Sequence, residues 1–129
     1  RQIRNSKKAA RQFIEADALM AMGTDTGSPL NFHAESAWRE VSALVEMGMS
    51  EIEAISASTK VSAQVLGLRD TGTIEPGKLA DIIVVDGNPL FNINALGYVT
   101  DVIKDGIIYK RNGVPTWETK SATTNTSGR

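Results

Sequence analysis

The chain has 129 residues, of which 41% are hydrophobic, and its formal net charge at neutral pH is −1. This length and apolar content suit one folded core of modest size. The charge argues against binding to nucleic acid or to an anionic membrane, because both need a basic field. No apolar run approaches the roughly 20 residues that span a bilayer. The chain has no cysteine, which removes disulfides and thiol chemistry and slightly favours a cytoplasmic location.

The first half of the chain is predicted to be mainly helical. Apolar residues recur there at intervals of three and four, which indicates amphipathic helices, over residues 6–16, 34–47, 50–58 and 60–66. Gly48 is a suitable end for the second helix, and Ser50 and Glu53 have the spacing of a capping box at the start of the third. Between the first two helices, the apolar run 18–24 is interpreted as a short buried strand, followed by a loop over 25–31.

The second half is predicted to consist mainly of strands. Pro76-Gly77 suits the central positions of a type II turn. The run 80–86 is rich in β-branched residues and predicts a strand. Asp105-Gly106 is a favoured two-residue hairpin turn, so residues 98–104 and 107–110 are predicted to form the two arms of a hairpin.

The predicted strand at 18–24 needs neighbours that this chain barely supplies. A parallel sheet is covered on both faces, and one helix–strand–helix unit cannot cover its own strand. The chain also starts without an initiator methionine or a signal-like segment. We therefore expect a fragment of a longer protein, or a chain that is completed by a partner.

Asp25 is the residue whose position most suggests chemistry. It follows the predicted strand and lies between Gly23 and Gly27, which is where α/β barrels place catalytic groups. A carboxylate there can ligate a divalent metal or take a proton from metal-bound water. The alternative is that Asp25 only hydrogen-bonds within its own turn, as aspartate commonly does. The spacing alone leaves both interpretations open.

His33 is the only histidine, and imidazole can ligate metal or transfer protons. A lone histidine at a helix start also suits a structural or exposed position, and a hydrolytic metal site usually has two or three nitrogen ligands. Glu35, Glu40, Asp81 and Asp101 could add carboxylates, but no spacing singles them out. We interpret the two glutamates as the solvated edge of a helix. The sequence contains no serine-hydrolase elbow and no phosphate-binding glycine loop.

Several segments resemble the metal-dependent amidohydrolases. Met22-Gly23-Thr24-Asp25-Thr26-Gly27 and the following helices are similar to the last barrel segment of that family. The stretch Gly72-Thr73-Ile74-Glu75-Pro76-Gly77-Lys78-Leu79-Ala80-Asp81-Ile82-Ile83-Val84-Val85-Asp86-Gly87-Asn88-Pro89-Leu90 is similar to its C-terminal signature, and 102–106 to its final hairpin. The resemblance runs from about residue 6 to about 113, and is strongest to the imidazolonepropionase-like and Xaa-Pro-dipeptidase-like members.

The resemblance implies an α/β fold. Residues 1–66 would be the C-terminal part of a (β/α)8 TIM barrel, including its last strand and the helices that follow. Residues 67–115 would be the C-terminal strands of a small β-sandwich, and the polar residues 116–129 a disordered tail. The lysine and aspartate of the signature would have a structural role in this arrangement.

The implied activity is hydrolysis of a C–N bond in an amide, a cyclic amide or a dipeptide by a metal-activated water. One or two divalent ions, often zinc, would be bound by the complete enzyme. Asp25 would be the catalytic residue and a metal ligand, and His33 would lie near the substrate. The family's other metal ligands have no counterpart here, so the chain alone would be incomplete and would need the missing N-terminal barrel portion, from the same or another chain. Homo-oligomerisation is left open, and the alternative is a non-catalytic remnant or accessory subunit that binds a partner chain.

Overall fold

The structure is a computed structural model that describes residues 2–27, 33 and 35–117. Helices dominate its first half and antiparallel strands its second. The helical elements are α1 (Gln2–Glu15), α2 (Ser36–Glu46), α3 (Glu51–Ser56), a π-helical segment (Ala57–Val61), α4 (Ser62–Val65) and a 3₁₀ helix (Ile93–Gly97). The strands are β1 (Ile82–Val85), β2 (Val99–Lys104), β3 (Ile107–Arg111) and β4 (Val114–Pro115).

The predicted end of the second helix is confirmed, whereas the first helix begins at Gln2 and not at the predicted residue 6. α2 ends before Gly48, which has a φ of +120° and whose N–H donates to the Val45 carbonyl over 3.0 Å. The N–H of Met49 donates to the Leu44 carbonyl over 3.1 Å. These two bonds satisfy carbonyls at the end of the helix that would otherwise lack a partner.

The two helices predicted over 50–58 and 60–66 are one continuous helical segment, so the predicted break between them is wrong. Neither glycine nor proline interrupts the chain there, and a π-turn over Ala57–Val61 joins α3 to α4. The Ser58 hydroxyl donates to the Ala54 carbonyl over 2.7 Å, and the Thr59 hydroxyl to the Ile55 carbonyl over 2.7 Å. These side chains hydrogen-bond back along the helix and do not end it.

Residues 18–25 have no regular secondary structure, so the predicted strand over 18–24 is wrong as a hydrogen-bonded strand. Side-chain burial nevertheless alternates along this segment, with Ala18, Met20, Met22 and Thr24 half-buried and the residues between them exposed. That alternation is typical of an extended chain. A strand also needs a partner strand for its backbone groups, and the described residues supply none beside 18–25.

The described strands form one antiparallel sheet in the order β1-β2-β3-β4. The predicted hairpin is confirmed: Asp105 and Gly106 have φ values of 52° and 74°, as a type I′ turn requires. The strand predicted over 80–86 is also present, although it is shorter. β4 was not predicted, and it follows a second turn of the same kind at Asn112-Gly113, with φ values of 50° and 81°.

The hydrophobic core lies between the helices and the 3₁₀ helix. Its buried members come from both halves of the chain and are Val41, Leu44, Ala54, Ala57 and Ile93. Met20 and Met22 pack against this cluster, which places the segment before Asp25 on the helical core. None of the helices within 2–27 and 35–117 combines the length and apolar character needed to cross a membrane.

The predicted tail over 116–129 lies almost wholly outside the described residues. Its first residue is packed on the sheet, because the Thr116 hydroxyl donates to the Ile108 carbonyl over 2.9 Å.

Candidate functional site

Asp25 lies at the end of the segment that packs on the helical core. Its side chain is exposed, and its φ of 49° lies in the left-handed region. Aspartate tolerates this conformation better than most residues. Beside it, the Thr24 hydroxyl donates to the Thr26 hydroxyl over 3.3 Å. The carboxylate is therefore accessible to solvent or to a reactant, while the backbone geometry also suits a turn aspartate, so both interpretations from the sequence still stand.

The backbone before Asp25 is held by the π-helical segment. The Met22 N–H donates both to the Ala57 carbonyl, over 3.3 Å, and to the Ser62 hydroxyl, over 3.3 Å. The Ser62 hydroxyl in turn donates to the Ala57 carbonyl over 2.7 Å. Ser62 is a residue that the sequence analysis missed, because a serine inside a helix has no local pattern that reports a contact 40 positions away.

His33 is exposed and lies between residues that the structure does not describe. Within the described residues, no group of three histidine, aspartate or glutamate side chains is arranged to hold a metal ion. A complete metal centre therefore does not fit the described residues on their own. Among the described residues, Asp25 belongs to no such group.

Glu35, which precedes α2, and Glu40, which lies within it, have different surroundings. Glu35 accepts hydrogen bonds from the Arg39 guanidinium at 2.7 and 3.1 Å, and both side chains are exposed. The interpretation of Glu35 as part of a solvated edge is thus confirmed. Glu40 is half-buried, and this burial raises the pKa of its carboxyl above the ordinary value of 4.5. Glu40 does not belong to the solvated edge, and that part of the interpretation is wrong.

The two aspartates of the second half have structural partners. The Asp81 carboxylate accepts hydrogen bonds from the Lys104 ammonium, over 2.6 Å, and from the Asp105 N–H, over 2.8 Å. Asp101 accepts a hydrogen bond from the Thr100 hydroxyl over 2.7 Å. Neither carboxylate is brought to Asp25 by these contacts.

A cavity of about 620 Å³ lies between the helical segment and the loop before β1, which is called the signature loop below and covers residues 71–81. Its lining residues come from 55–59 and 71–83. Lys78 is its one lining residue with a positive charge. The Lys78 ammonium donates to the Thr73 hydroxyl and lies 3.5 Å from the Glu75 carboxylate. The lysine therefore closes the loop 73–78 on itself. This agrees with the structural role that the sequence analysis expected for the signature.

Comparison with known proteins defines the class of the chain. The sequence profile described as "Amidohydrolase family" matches residues 2–108. Imidazolonepropionase from Porphyromonas gingivalis is 39% identical over 77 residues, which are 59% of this chain and 18% of that protein. Ochratoxinase from Aspergillus niger is 32% identical over 117 residues, which are 85% of this chain and 23% of that protein.

Solved structures agree with this class. A Xaa-Pro dipeptidase with methionine bound in its active site has a TM-score of 0.75 and 40% identity, over 81% of this chain and 25% of that one. The structure of A. niger ochratoxinase has a TM-score of 0.71 and 34% identity, over 86% of this chain and 26% of that one. The chain belongs to the amidohydrolase family. It spans about a fifth of the length of these curated relatives and about a quarter of the solved chains.

Proposed function

We propose that this chain is the C-terminal part of an amidohydrolase that hydrolyses a C–N bond in an amide, a cyclic amide or a dipeptide. The match of residues 2–108 to the family carries this proposal. The names of the relatives support the bond type, since imidazolonepropionase and a Xaa-Pro dipeptidase are among them. In this proposal, residues 1–66 belong to the last segment of a TIM barrel and 67–115 to the strands of a small β-sandwich.

In the proposed reaction, Asp25 is the catalytic residue and a metal ligand. Its carboxylate accepts a proton from the attacking water and passes it to the leaving amine, while the water oxygen bonds to the carbonyl carbon and the C–N bond breaks. A divalent metal such as zinc, as one or two ions, would activate that water. The exposure of Asp25 and its place after a core-packed segment support this role. His33, which is also exposed, is proposed to lie near the substrate.

The complete enzyme would need further metal ligands from the N-terminal barrel portion that precedes this chain in the proposal, in the same polypeptide or in another. Within the described residues, no three histidine, aspartate or glutamate side chains are arranged to hold a metal ion. Large apolar side chains are also exposed, including Leu19 at 76%, Ile74 at 83% and Phe91 at 88%. Exposed apolar surface of this kind is typical of an interface.

The test is Asp25→Asn in the complete enzyme, assayed against a panel of Xaa-Pro dipeptides and cyclic amides. We expect kcat/KM to fall by about 10²-fold or more, with an unchanged circular dichroism spectrum. Asp17→Asn is the matched control, because Asp17 is also an exposed aspartate with a positive φ, of 52°. Wild-type turnover by Asp25→Asn would contradict the proposal.

The exposed apolar side chains also favour a second candidate, a non-catalytic accessory subunit that binds a partner chain. Size-exclusion chromatography and metal analysis of the 129-residue protein separate the two candidates. An accessory subunit forms a stoichiometric complex with its partner, and Asp25→Asn changes neither that complex nor any activity. Stoichiometric metal and hydrolysis by the 129-residue protein alone would contradict both the accessory role and the proposed need for further ligands.

A further inference from the structure

We propose that Ser62 is a positioning residue for Asp25. Its hydroxyl fixes where the backbone of the segment before Asp25 lies relative to the π-turn. This inference rests on the proposed role of Asp25. Ser62 does not touch the carboxylate, and it acts through the backbone of Met22.

The contact is a closed set of three hydrogen bonds. The Met22 N–H lies 3.3 Å from both the Ala57 carbonyl and the Ser62 hydroxyl. The same hydroxyl donates to the same carbonyl over 2.7 Å. Ser62 therefore uses its hydroxyl both as donor and as acceptor, so its hydrogen atom points at Ala57 and its lone pair at Met22. The backbone of the segment before Asp25 is thereby bonded to the helical segment at Met22.

The π-turn accounts for this use of Ser62. In an α-helix the carbonyl of Ala57 would accept from the N–H four positions later, whereas the π-turn over Ala57–Val61 changes this spacing to five. Ser62 lies five positions after Ala57, and its hydroxyl reaches that carbonyl. π-turns inside helices are frequent at functional sites, and this one holds the backbone of the segment before Asp25 through the Met22 N–H.

The signature loop also packs against the π-turn. A Cβ atom at Gly72 would lie 2.7 Å from the Ala63 Cβ and 3.0 Å from the Thr59 carbonyl oxygen. The loop backbone thus packs directly against the π-turn and its C-terminal neighbour. In this proposal the packing restrains the π-turn, and the hydrogen bonds of Ala57 and Ser62 pass its position on to Met22.

Met22 transmits this position to Asp25 over a short distance. The two residues are three positions apart, which is about 10 Å in an extended chain. Because side chains alternate along this segment, a slip of one residue would turn Asp25 from solvent towards the core. A smaller displacement would still matter, since misplacement of a catalytic group by about 1 Å can cost roughly 10²-fold in rate.

The test compares Ser62→Ala with Ser58→Ala in the complete enzyme. Ser58 is the matched control, because its hydroxyl is also half-buried on this helical segment but bonds only to carbonyls of its own helix, at Ala54 and Ile55. We expect Ser62→Ala to lower kcat by roughly tenfold with KM within about twofold. We expect the Met22 amide hydrogen to exchange roughly fivefold faster, and Ser62→Thr, which keeps the hydroxyl, to restore both values. Ser58→Ala should change neither.

Each result decides the inference. A kcat for Ser62→Ala equal to that of Ser58→Ala overturns it, even if the Met22 amide exchanges faster, and so does a raised KM at unchanged kcat. If Ser62→Ala does not fold, Ser62→Cys takes its place, because the thiol is similar in size and is a weak acceptor. The Asp25→Asn assay separates the two proposals: wild-type turnover there removes the proposed function, whereas Met22 exchange still reports on the Ser62 contact.

Discussion

The Asp81 carboxylate accepts a hydrogen bond from the Asp105 backbone N–H over 2.8 Å, across 24 positions of the chain. Its other oxygen accepts from the Lys104 ammonium over 2.6 Å. The adjacent carbonyl of Ala80 accepts from the Gly106 N–H over 3.1 Å. The end of the signature is thereby tied to the turn of the β2–β3 hairpin. Asp81 thus has a structural role at this end of the sheet, and its charge is part of the fold.

We predict that Asp81→Asn destabilises the sheet in a pH-dependent way. The Lys104 hydrogen bond, followed by the Asp105 N–H, lowers the pKa of Asp81 below its ordinary value of 3.8. This stabilisation is fully present above pH 3.8 and is lost as the pH falls through the lower pKa of the folded state. The Asp81 hydrogen bond raises the pKa of Lys104 above 10.5, so the same pair is lost again as the pH rises beyond that value.

Urea unfolding of the wild type, Asp81→Asn, Lys104→Gln and the double variant should show this dependence. We expect a coupling between the two positions at pH 7 that shrinks at pH 2 and weakens in high salt. Additive effects of the two substitutions at pH 7 would contradict the prediction.

Gly72 and Gly77 are predicted to respond very differently to alanine. Both have a strongly positive φ, of +90° and +87°, but a Cβ at Gly72 would lie 2.7 Å from the Ala63 Cβ, whereas nothing lies within 4 Å of one at Gly77. Gly77→Ala should cost about 1 kcal/mol of unfolding free energy, from backbone strain alone. Gly72→Ala should cost roughly 2–4 kcal/mol, because overpacking is added to the same strain. Equal urea midpoints for the two variants would show that the close approach at Gly72 is unimportant.

The parts of the fold that follow from local chemistry could be predicted from the sequence. Asp105-Gly106 defines a hairpin turn and Gly48 a helix end, because each residue type suits a particular backbone conformation. Asn112-Gly113 carries the same turn signal as Asp105-Gly106, and it could have revealed β4. The π-turn at Ala57–Val61 has no local sequence signal, and its contacts with Met22 and with Gly72 join residues that are distant in sequence.

Only part of the candidate site could be predicted from the sequence. Asp25 stands out by its position after an apolar run and between glycines. The segment before it was predicted to be a short buried strand. It keeps the alternating burial of an extended chain but is not a strand, because a strand also needs a neighbour for its backbone groups. Ser62 carries no sequence signal at all, and its contact to Met22 became visible only in the structure.

The capping box at the start of α3 predicts a specific loss of stability. The Ser50 N–H and hydroxyl donate to the Glu53 carboxylate over 2.8 and 2.6 Å, and the Glu53 N–H donates to the Ser50 hydroxyl over 3.4 Å. Ser50→Ala should therefore cost about 1 kcal/mol of unfolding free energy, as measured with urea. The Ser50 hydroxyl and N–H lower the pKa of Glu53 below 4.5, so its contribution is present above that pH and is lost on acidification. Glu53→Gln should remove this pH dependence. Glu51→Gln in the same turn is the control, because no cap bond involves its side chain. If Glu51→Gln changed the pH dependence of stability as much as Glu53→Gln, the prediction would be contradicted.

Glu40 is predicted to be a residue whose charge destabilises the folded chain. Its burial raises the pKa of the carboxyl above the ordinary 4.5, so the folded state holds its proton more tightly than the unfolded state. Stability should fall as the pH rises from about 4.5 through the higher pKa of the folded state. Glu40→Gln should then raise the urea midpoint at pH 7 and leave it nearly unchanged at pH 3. Glu46→Gln, at an exposed position of the same helix, should show no such gain. A Glu40→Gln variant that is less stable than wild type at pH 7 would mean that the carboxylate is stabilised by a partner in the folded state.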